Sequence, residues 1–466
     1  MNDRIVKEMF YEGHSGANFF ENIKFLLIYP LSSLIMNLTF RIFSNSSSFN
    51  IFFILVQLLP LILGLTLMSS HINLILLFQI LILTILLKRG KYDSSSVFNA
   101  TKANSQDSHI KFITSYMVYV LLATLICILG VDFRVFPRHL AKSEFYGLGF
   151  MDFGVGAFVF TNALISQNST FRKTLKSSGI LILFGVLRTL FIKHLNYHEH
   201  ISEYGSHWNF FITLASVKLL GFFMEKLAIF NFYCCKRRFS VINGILLNIS
   251  FTLFNALLAL FAHYFLINNM TFIQYFDMDI HSLRTDWIMS NREGILSFLG
   301  YLSIYIFGTF SAKIIFYSYK KSNHMVIKHL FFMCIASAVL CIITVNYKNV
   351  SRRVCNPSYI IIAVFLNIFS LLIFATMDAI ENSCININQK AVHALDNFME
   401  KINHNGLILF IIANIFTGLI NIFVNTQNVS NNIAFIIICT YIYIILNAIQ
   451  LVEYFKKRYE VANFSS

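Results

Sequence analysis

The chain has 466 residues, 57% of them hydrophobic and 12% charged, with a formal net charge of +14, 51 Phe and four Pro. A globular chain carries about 25% charged residues, so a water-soluble fold is excluded, and because each membrane span needs ~20 apolar residues there is little chain left for large extramembrane domains. The basic excess fits the cytoplasmic loops of a polytopic protein rather than nucleic-acid binding, since no basic stretch is interleaved with aromatics on a polar domain.

The N-terminal segment MNDRIVKEMFYEGHSGANFFEN has neither the apolar core nor the small-residue cleavage site of a signal peptide. Thirteen apolar stretches of span length follow, at about 23–44, 50–69, 71–88, 111–131, 147–166, 177–195, 208–228, 241–265, 294–317, 326–346, 355–377, 407–425 and 433–454. The first contains Pro30 and the fifth Asp152, yet both are expected to be helical, because lipid offers the backbone no other hydrogen-bond partner. The Asn- and Ser-rich tract at 44–50 and the stretch 93–108 read as loops. No internal repeat is evident, and the eight cysteines show no paired spacing that implies disulfides or a zinc site. The expected fold is an all-α polytopic membrane protein of about 13 transmembrane helices, with residues 1–466 forming one membrane-embedded domain.

An odd number of spans puts the termini on opposite sides. The larger set of Lys and Arg in alternate loops includes Lys88, Arg89, Lys236, Arg237, Arg238, Lys320 and Lys456, which places the C-terminus in the cytosol and the N-terminus in the lumen. The smaller set is Arg4, Lys7, Lys24, Arg134, Arg138, Lys142, Lys193, Arg284, Arg292, Lys348, Arg352 and Arg353. Charge kept on the disfavoured side calls for a separate reason.

The segment after the fourth span, GVDFRVFPRHLAKSEFYG, mixes charge with bulky apolar side chains and reads as a loop folded into the interface. Asp132 and Lys142 flank Pro137, which forbids a continuous helix and bends the chain. A partly dry aspartate beside a cation has the chemistry to take a proton from a hydroxyl, and the lysine to hold an anionic oxygen. An interfacial ion pair, or a lysine snorkelling to headgroups, explains the same residues. Asp152 and Arg188 lie within apolar runs, where a lipid-facing charge costs about 2.5–3.5 kcal/mol, so both are expected to face inward, as a helix-joining pair or in a substrate cavity. Gly154 and Gly156 would let a neighbouring helix approach. Lys218, His263, Lys313 and Asp378 pose the same question.

Two polar clusters, His194 to Phe211 and Arg284 to Tyr301, fall on the expected lumenal side and hold both tryptophans. Trp208 and Trp287 suit interfacial anchors, while Glu203, His207, Asn209, Asn291, Arg292 and Glu293 supply polar groups to hold a headgroup. His198 and His200 lack the spacing of a zinc site, and no metal is expected. The chain has no GxSxG, Walker A, HExxH or GxGxxG motif in a suitable setting, so direct transfer between two bound substrates is the default enzymatic mechanism. A polytopic lipid or small-molecule transporter or flippase, with Asp152, Arg188 and Lys218 along its path, is the alternative, and a noncatalytic scaffold the third reading.

The segment GVDFRVFPRHLAKSEFYGLGFMDFGVGAFVF (130–160) resembles the inositol acyltransferase family of GPI-anchor assembly, that of the GPI-anchored wall transfer protein. NYHEHISEYGSHWNFFITL (196–214), SNREGILSFLGYLSIY (290–305) and ANIFTGLINIFVNT (413–426) resemble that family's segments in the same order, so the resemblance covers essentially the full chain. It implies transfer of a long-chain acyl group, typically palmitoyl, from acyl-CoA to the inositol 2-hydroxyl of glucosaminyl-phosphatidylinositol in the endoplasmic reticulum membrane. The partners implied are that glycolipid, palmitoyl-CoA as co-substrate and membrane lipids, with no further cofactor. The family's acidic residue falls on Asp132 and its lysine on Lys142, which the resemblance marks as the catalytic pair. The family's FPRRFAK reads FPRHLAK here, so its second arginine is His139. Arg138 is retained and suits a lipid phosphate, and Glu144 completes the candidate set.

Overall fold

In the computed structural model the described residues are 16–42, 52–90, 110–166, 169–194, 203–238, 244–269, 284, 286–344, 349–384 and 389–464. The loops expected at 44–50 and 93–108, and His198 and His200, lie outside the described residues. Helices occupy all thirteen apolar stretches. They are α1 (Phe19–Ile42), α2 (Leu59–Leu65), α3 (Ile72–Arg89), α4 (Lys111–Gly130), α5 (Phe150–Ile165), α6 (Phe171–His194), α7 (Phe210–Arg238), α8 (Gly244–Asn268), α9 (Arg292–Tyr319), α10 (Asn323–Thr344) and α11 (Pro357–Ser383). After a polar helix, α12 (Gln389–His404), come α13 (Gly406–Phe423) and α14 (Asn431–Phe464).

Among the described residues nine helices are both long and apolar enough to cross a membrane, and the segments Ile54–Leu65 and Phe150–Ile165 are apolar but shorter. The protein is therefore an all-α polytopic membrane protein. As expected, α1 runs straight through Pro30. Pro60, which lacks an amide donor, follows directly on the turn Ile54–Leu58, which widens to π geometry.

Eight of these nine spans fall into two groups, with α14 (33% buried) between them. The most apolar windows of α1, α4, α9 and α11 are 72%, 78%, 67% and 67% buried, those of α3, α8, α10 and α13 between 17% and 22%. In lipid the second group is the outer ring, presenting Phe78, Phe261, Ile342 and Phe423 to the acyl chains. Apolar burial does not drive helices together there, so close approach and polar bonds must. A Cβ on Gly156 of α5 would come within 3.0 Å of Ala363 on α11, and one on Gly308 of α9 within 2.8 Å of Ala163 on α5. Gly154 has only ordinary contact with Thr124, so Gly156 alone of the two makes the close approach. The Tyr359 hydroxyl donates to the Asp152 carbonyl (2.7 Å) and accepts from the Gly156 amide (3.1 Å), inserting α11 into the backbone ladder of α5. Gln79 of α3 donates to Ser32 of α1 (2.7 Å), and Tyr116 of α4 bonds Asn367 of α11.

The connections 131–149, 203–209, 284–291 and 349–356 meet at one end of the bundle, here the loop end. At the opposite end α12 buries Val392, Leu395, Phe398, Met399 and Ile402, an amphipathic stripe. There Glu381 of α11 accepts from Arg41 of α1 (2.8 Å), Asn37 of α1 (2.7 Å) and Lys111 of α4 (2.6 Å), and Lys111 also pairs with Asp396 of α12 (3.0 Å). Asn37, Lys111, Glu381 and Asp378 border a cavity of about 20 Å³, room for a single water.

Candidate active site at the loop end

The loop after α4 is fixed from within. Arg138 donates to the carbonyls of Val131 (2.8 Å), Phe133 (2.9 Å) and Phe136 (2.9 Å), while Phe133, Phe136 and Leu140 are buried beneath it. One guanidinium thus satisfies carbonyls that Pro137 prevents a helix from pairing. The bend holds Asp132 and Lys142 at the same end, each with its own partner. Asn421 of α13 donates to Asp132 Oδ2 (2.7 Å), and Lys142 pairs with Glu203 Oε1 (2.9 Å). His139 lies 3.1 Å from Glu21 of α1.

Asp152, fully buried, shapes the second half of this loop. Its Oδ2 accepts from the amides of Ser143 (2.9 Å) and Gly149 (2.8 Å), and its Oδ1 from Arg352 Nε (2.7 Å). A side chain at 149 has no room beside the Ala141 carbonyl, so the turn requires glycine. Arg352 Nη2 reaches on toward Glu203 Oε1 (3.5 Å). Asp152, Arg352, Glu203 and Lys142 therefore form a row of alternating charge, from a fully buried carboxylate to a partly exposed ammonium. The inward orientation expected of both intramembrane charges holds for Asp152. Arg188, on α6, which packs against α7, is exposed, and its charge is felt at Glu203. The cation on Asp152 is Arg352.

Burial opposes ionisation of Glu203, but the cations Lys142 and Arg352 outweigh it and hold the carboxyl down at about 2. Burial pushes the neighbouring Tyr204 phenol up to about 12, against the pull of Arg352. Glu203 is therefore a fixed anion at neutral pH, and Lys142 faces a permanent counter-charge.

A second network joins the 203–209 turn to the start of α9. Gly294 donates to the Tyr204 carbonyl (2.9 Å), Ser206 to the Ser290 carbonyl (2.9 Å), and the amides of His207 and Trp208 both donate to Asn291 Oδ1 (2.9 Å). Gly205 takes φ +120°, and a Cβ there would sit 2.5 Å from the Asn291 Cα, so this turn too requires glycine. Asn209 Oδ1 accepts from Phe211 (3.1 Å) and Ile212 (3.3 Å) at the first turn of α7, and its Nδ2 donates to Gly185 of α6 (2.8 Å). Glu293, fully buried, gathers Arg284 (2.7 Å), Arg353 (2.7 Å) and Arg292 (3.4 Å). Trp287 is exposed, as an interfacial anchor would be, and Trp208 donates to Thr213 (2.8 Å). Glu144 is partly buried two residues from Lys142, and the His207 ring is exposed.

Sequence reasoning missed Arg352 and Arg353, which it counted only as charges. They precede α11, where the Asn356 side chain caps the Tyr359 amide (3.0 Å) and Pro357 opens the helix. The available signal was two adjacent arginines on the side expected to disfavour them. His263, singled out as an intramembrane polar group, is set against the Cys355 carbonyl (2.9 Å), and Lys313 donates to Asn248 (3.0 Å) and Thr252 (2.8 Å). Among the described residues no group of three or more His, Cys, Asp or Glu side chains is placed to hold a metal ion.

Residues 3–452 match the GWT1 family model. The chain is 32% identical over 356 residues to GPI-anchored wall transfer protein 1 of Schizosaccharomyces pombe, covering 73% of this chain and 72% of the relative. It is 30% identical over 409 residues to the protein of that name from Saccharomyces cerevisiae, covering 76% and 77%. Over 515 aligned residues it is 28% identical to the phosphatidylinositol-glycan biosynthesis class W protein of Dictyostelium discoideum, covering 96% of each.

Proposed function

Because the chain belongs to the GWT1 family, we propose that it acts in GPI-anchor biosynthesis as an O-acyltransferase of the endoplasmic reticulum membrane. It transfers a long-chain acyl group, typically palmitoyl, from acyl-CoA to the inositol 2-hydroxyl of glucosaminyl-phosphatidylinositol, with the loop end facing the lumen. The observation that carries this reading is convergence. The four segments whose sequences resemble the family lie far apart in the chain, yet they meet at one end: Lys142 on Glu203, the 204–208 turn on residues 290–294, and Asp132 on Asn421.

In the proposed reaction Asp132 accepts the inositol hydroxyl proton as the oxygen attacks the thioester carbonyl. Lys142 faces the negative charge that develops on that carbonyl oxygen. The C–S bond then breaks, and the proton passes to the departing thiolate, so that CoA leaves as the free thiol and no covalent enzyme intermediate forms. Glu203 holds Lys142 in place, and Arg352 anchors Glu203 from its other side. Purified protein given labelled acyl-CoA and glucosaminyl-phosphatidylinositol should release CoA in step with lipid acylation. Movement of lipid across the bilayer without CoA release would instead establish a transporter.

A further inference from the structure

Among the described residues the loop-end networks gather more cations than carboxylates. Lys142, Arg284, Arg292, Arg352 and Arg353 face Asp152, Glu203 and Glu293, five cations to three carboxylates. Of the other charges near them, Arg188 acts on Glu203, Glu144 lies two residues from Lys142, and Asp286 is exposed at the start of a helical turn. Of the five cations Arg292, Arg352 and Arg353 are buried, and all three are guanidinium groups.

Those guanidiniums also keep donors in reserve. Arg352 and Arg353 are 2% and 3% exposed, yet Arg352 Nη1 and both Nε and Nη1 of Arg353 are buried and meet no acceptor among the described residues. Buried N–H groups of charged side chains are otherwise almost always hydrogen-bonded. The Arg353 guanidinium lies 4.9 Å from the Phe145 ring centroid, a contact that holds the group while leaving its in-plane N–H edge for an acceptor. Its Nη2 already holds Glu293 (2.7 Å), so the Nε and Nη1 donors remain.

We infer that Arg352 and Arg353 form a binding site for a phosphate group beside Lys142. Phosphate is the ligand class that matches a positive excess together with donors in fork geometry. Two sources share this chemistry: the phosphodiester of the glycolipid acceptor and the phosphates of the CoA donor. The choice between these two rests on the proposed function, whereas phosphate binding itself does not. An acceptor phosphodiester held there would lie next to the lysine assigned to the acyl carbonyl, which ties headgroup recognition to the reacting end of the chain.

The test is binding, measured without turnover so that it stands apart from the acyltransferase reading. Full-length protein in detergent is titrated with phosphatidylinositol, with diacylglycerol of the same chains, and with CoA. Arg353→Gln should weaken phosphatidylinositol binding about tenfold, the loss expected for a charged hydrogen bond, and leave diacylglycerol binding unchanged. Arg353→Lys, which keeps the charge and loses the fork, should recover part of the affinity. A loss seen with CoA in place of phosphatidylinositol also supports the phosphate site and assigns it to the donor. In the unaltered protein, inorganic phosphate should compete with the affected ligand where chloride at equal ionic strength does not. Unchanged affinity for both phosphorylated ligands, an equal loss for diacylglycerol, or absence of phosphate competition would overturn the inference.

Discussion

The two ends of the bundle each bury a carboxylate shared by several donors, and they use it differently. At the opposite end Glu381 joins Arg41, Asn37 and Lys111. All of these stand on helices, acids outnumber bases once Asp378 and Asp396 are counted, and the neighbouring cavity holds about one water. At the loop end Asp152, Glu203 and Glu293 bond the turns, the described bases outnumber these three acids, and the row of charge finishes on a partly exposed ammonium. A buried ion pair alone thus says little about function. Ion pairs between helices suit fastening, while basic groups carried on loops suit a ligand.

The largest effects should come from breaking each end's central acid. Asp152→Ala and Glu381→Ala each leave buried cations without a partner, a loss of about 3–5 kcal/mol, read as a fall in thermal unfolding temperature. They should part in turnover. Glu381→Ala should keep near-normal activity per folded molecule, whereas Asp152→Ala should lose it, because Asp152 shapes the turn that carries Lys142. Equal loss of turnover in both would erase the distinction between the ends.

Next in size is Gly205→Ala. Its positive φ and its proximity to Asn291 make alanine there cost about 1–3 kcal/mol, measurable as a thermal shift. A smaller effect is expected of Glu203→Gln, which removes the anion facing Lys142 and should lower turnover about tenfold, equal to about 1.4 kcal/mol. The smallest concerns pH. The Glu203 carboxyl sits at about 2, below its ordinary value of 4.5, so the stability it contributes is present above about pH 4.5 and is lost only as the pH falls through about 2. Between pH 5 and 8 the rate should not vary on its account, and Glu203→Gln should keep the shape of the wild-type profile. A wild-type inflection in that window that vanishes in Glu203→Gln would remove Glu203 as a fixed anion.

The same contrast shows what sequence makes legible. Helices were readable because lipid leaves the backbone of an apolar stretch one choice, even through Pro30 and Asp152. The bend at Pro137 and the folded-in loop at 130–147 were readable from charge placed beside bulky apolar residues. Arg352 and Arg353 were not, because their partners Asp152, Glu203 and Glu293 lie 60 or more residues away and no local spacing encodes such pairings. Their location still gave a hint. Of the basic residues expected on the disfavoured side, Arg138, Lys142, Arg284, Arg292, Arg352 and Arg353 all bond within the loop end. The amphipathic α12 also escaped notice. Its stripe from Val392 to Ile402 is regular, but it is too polar overall to register in a search for spans.

The most direct test of the account is the turnover of Asp132→Asn, assayed as CoA released from acyl-CoA in the presence of glucosaminyl-phosphatidylinositol. Asparagine keeps the shape and the bond from Asn421 but cannot accept the hydroxyl proton. The account predicts a protein that elutes and unfolds like the wild type with turnover lowered about 10²–10⁴-fold. Turnover close to that of the wild type would contradict it.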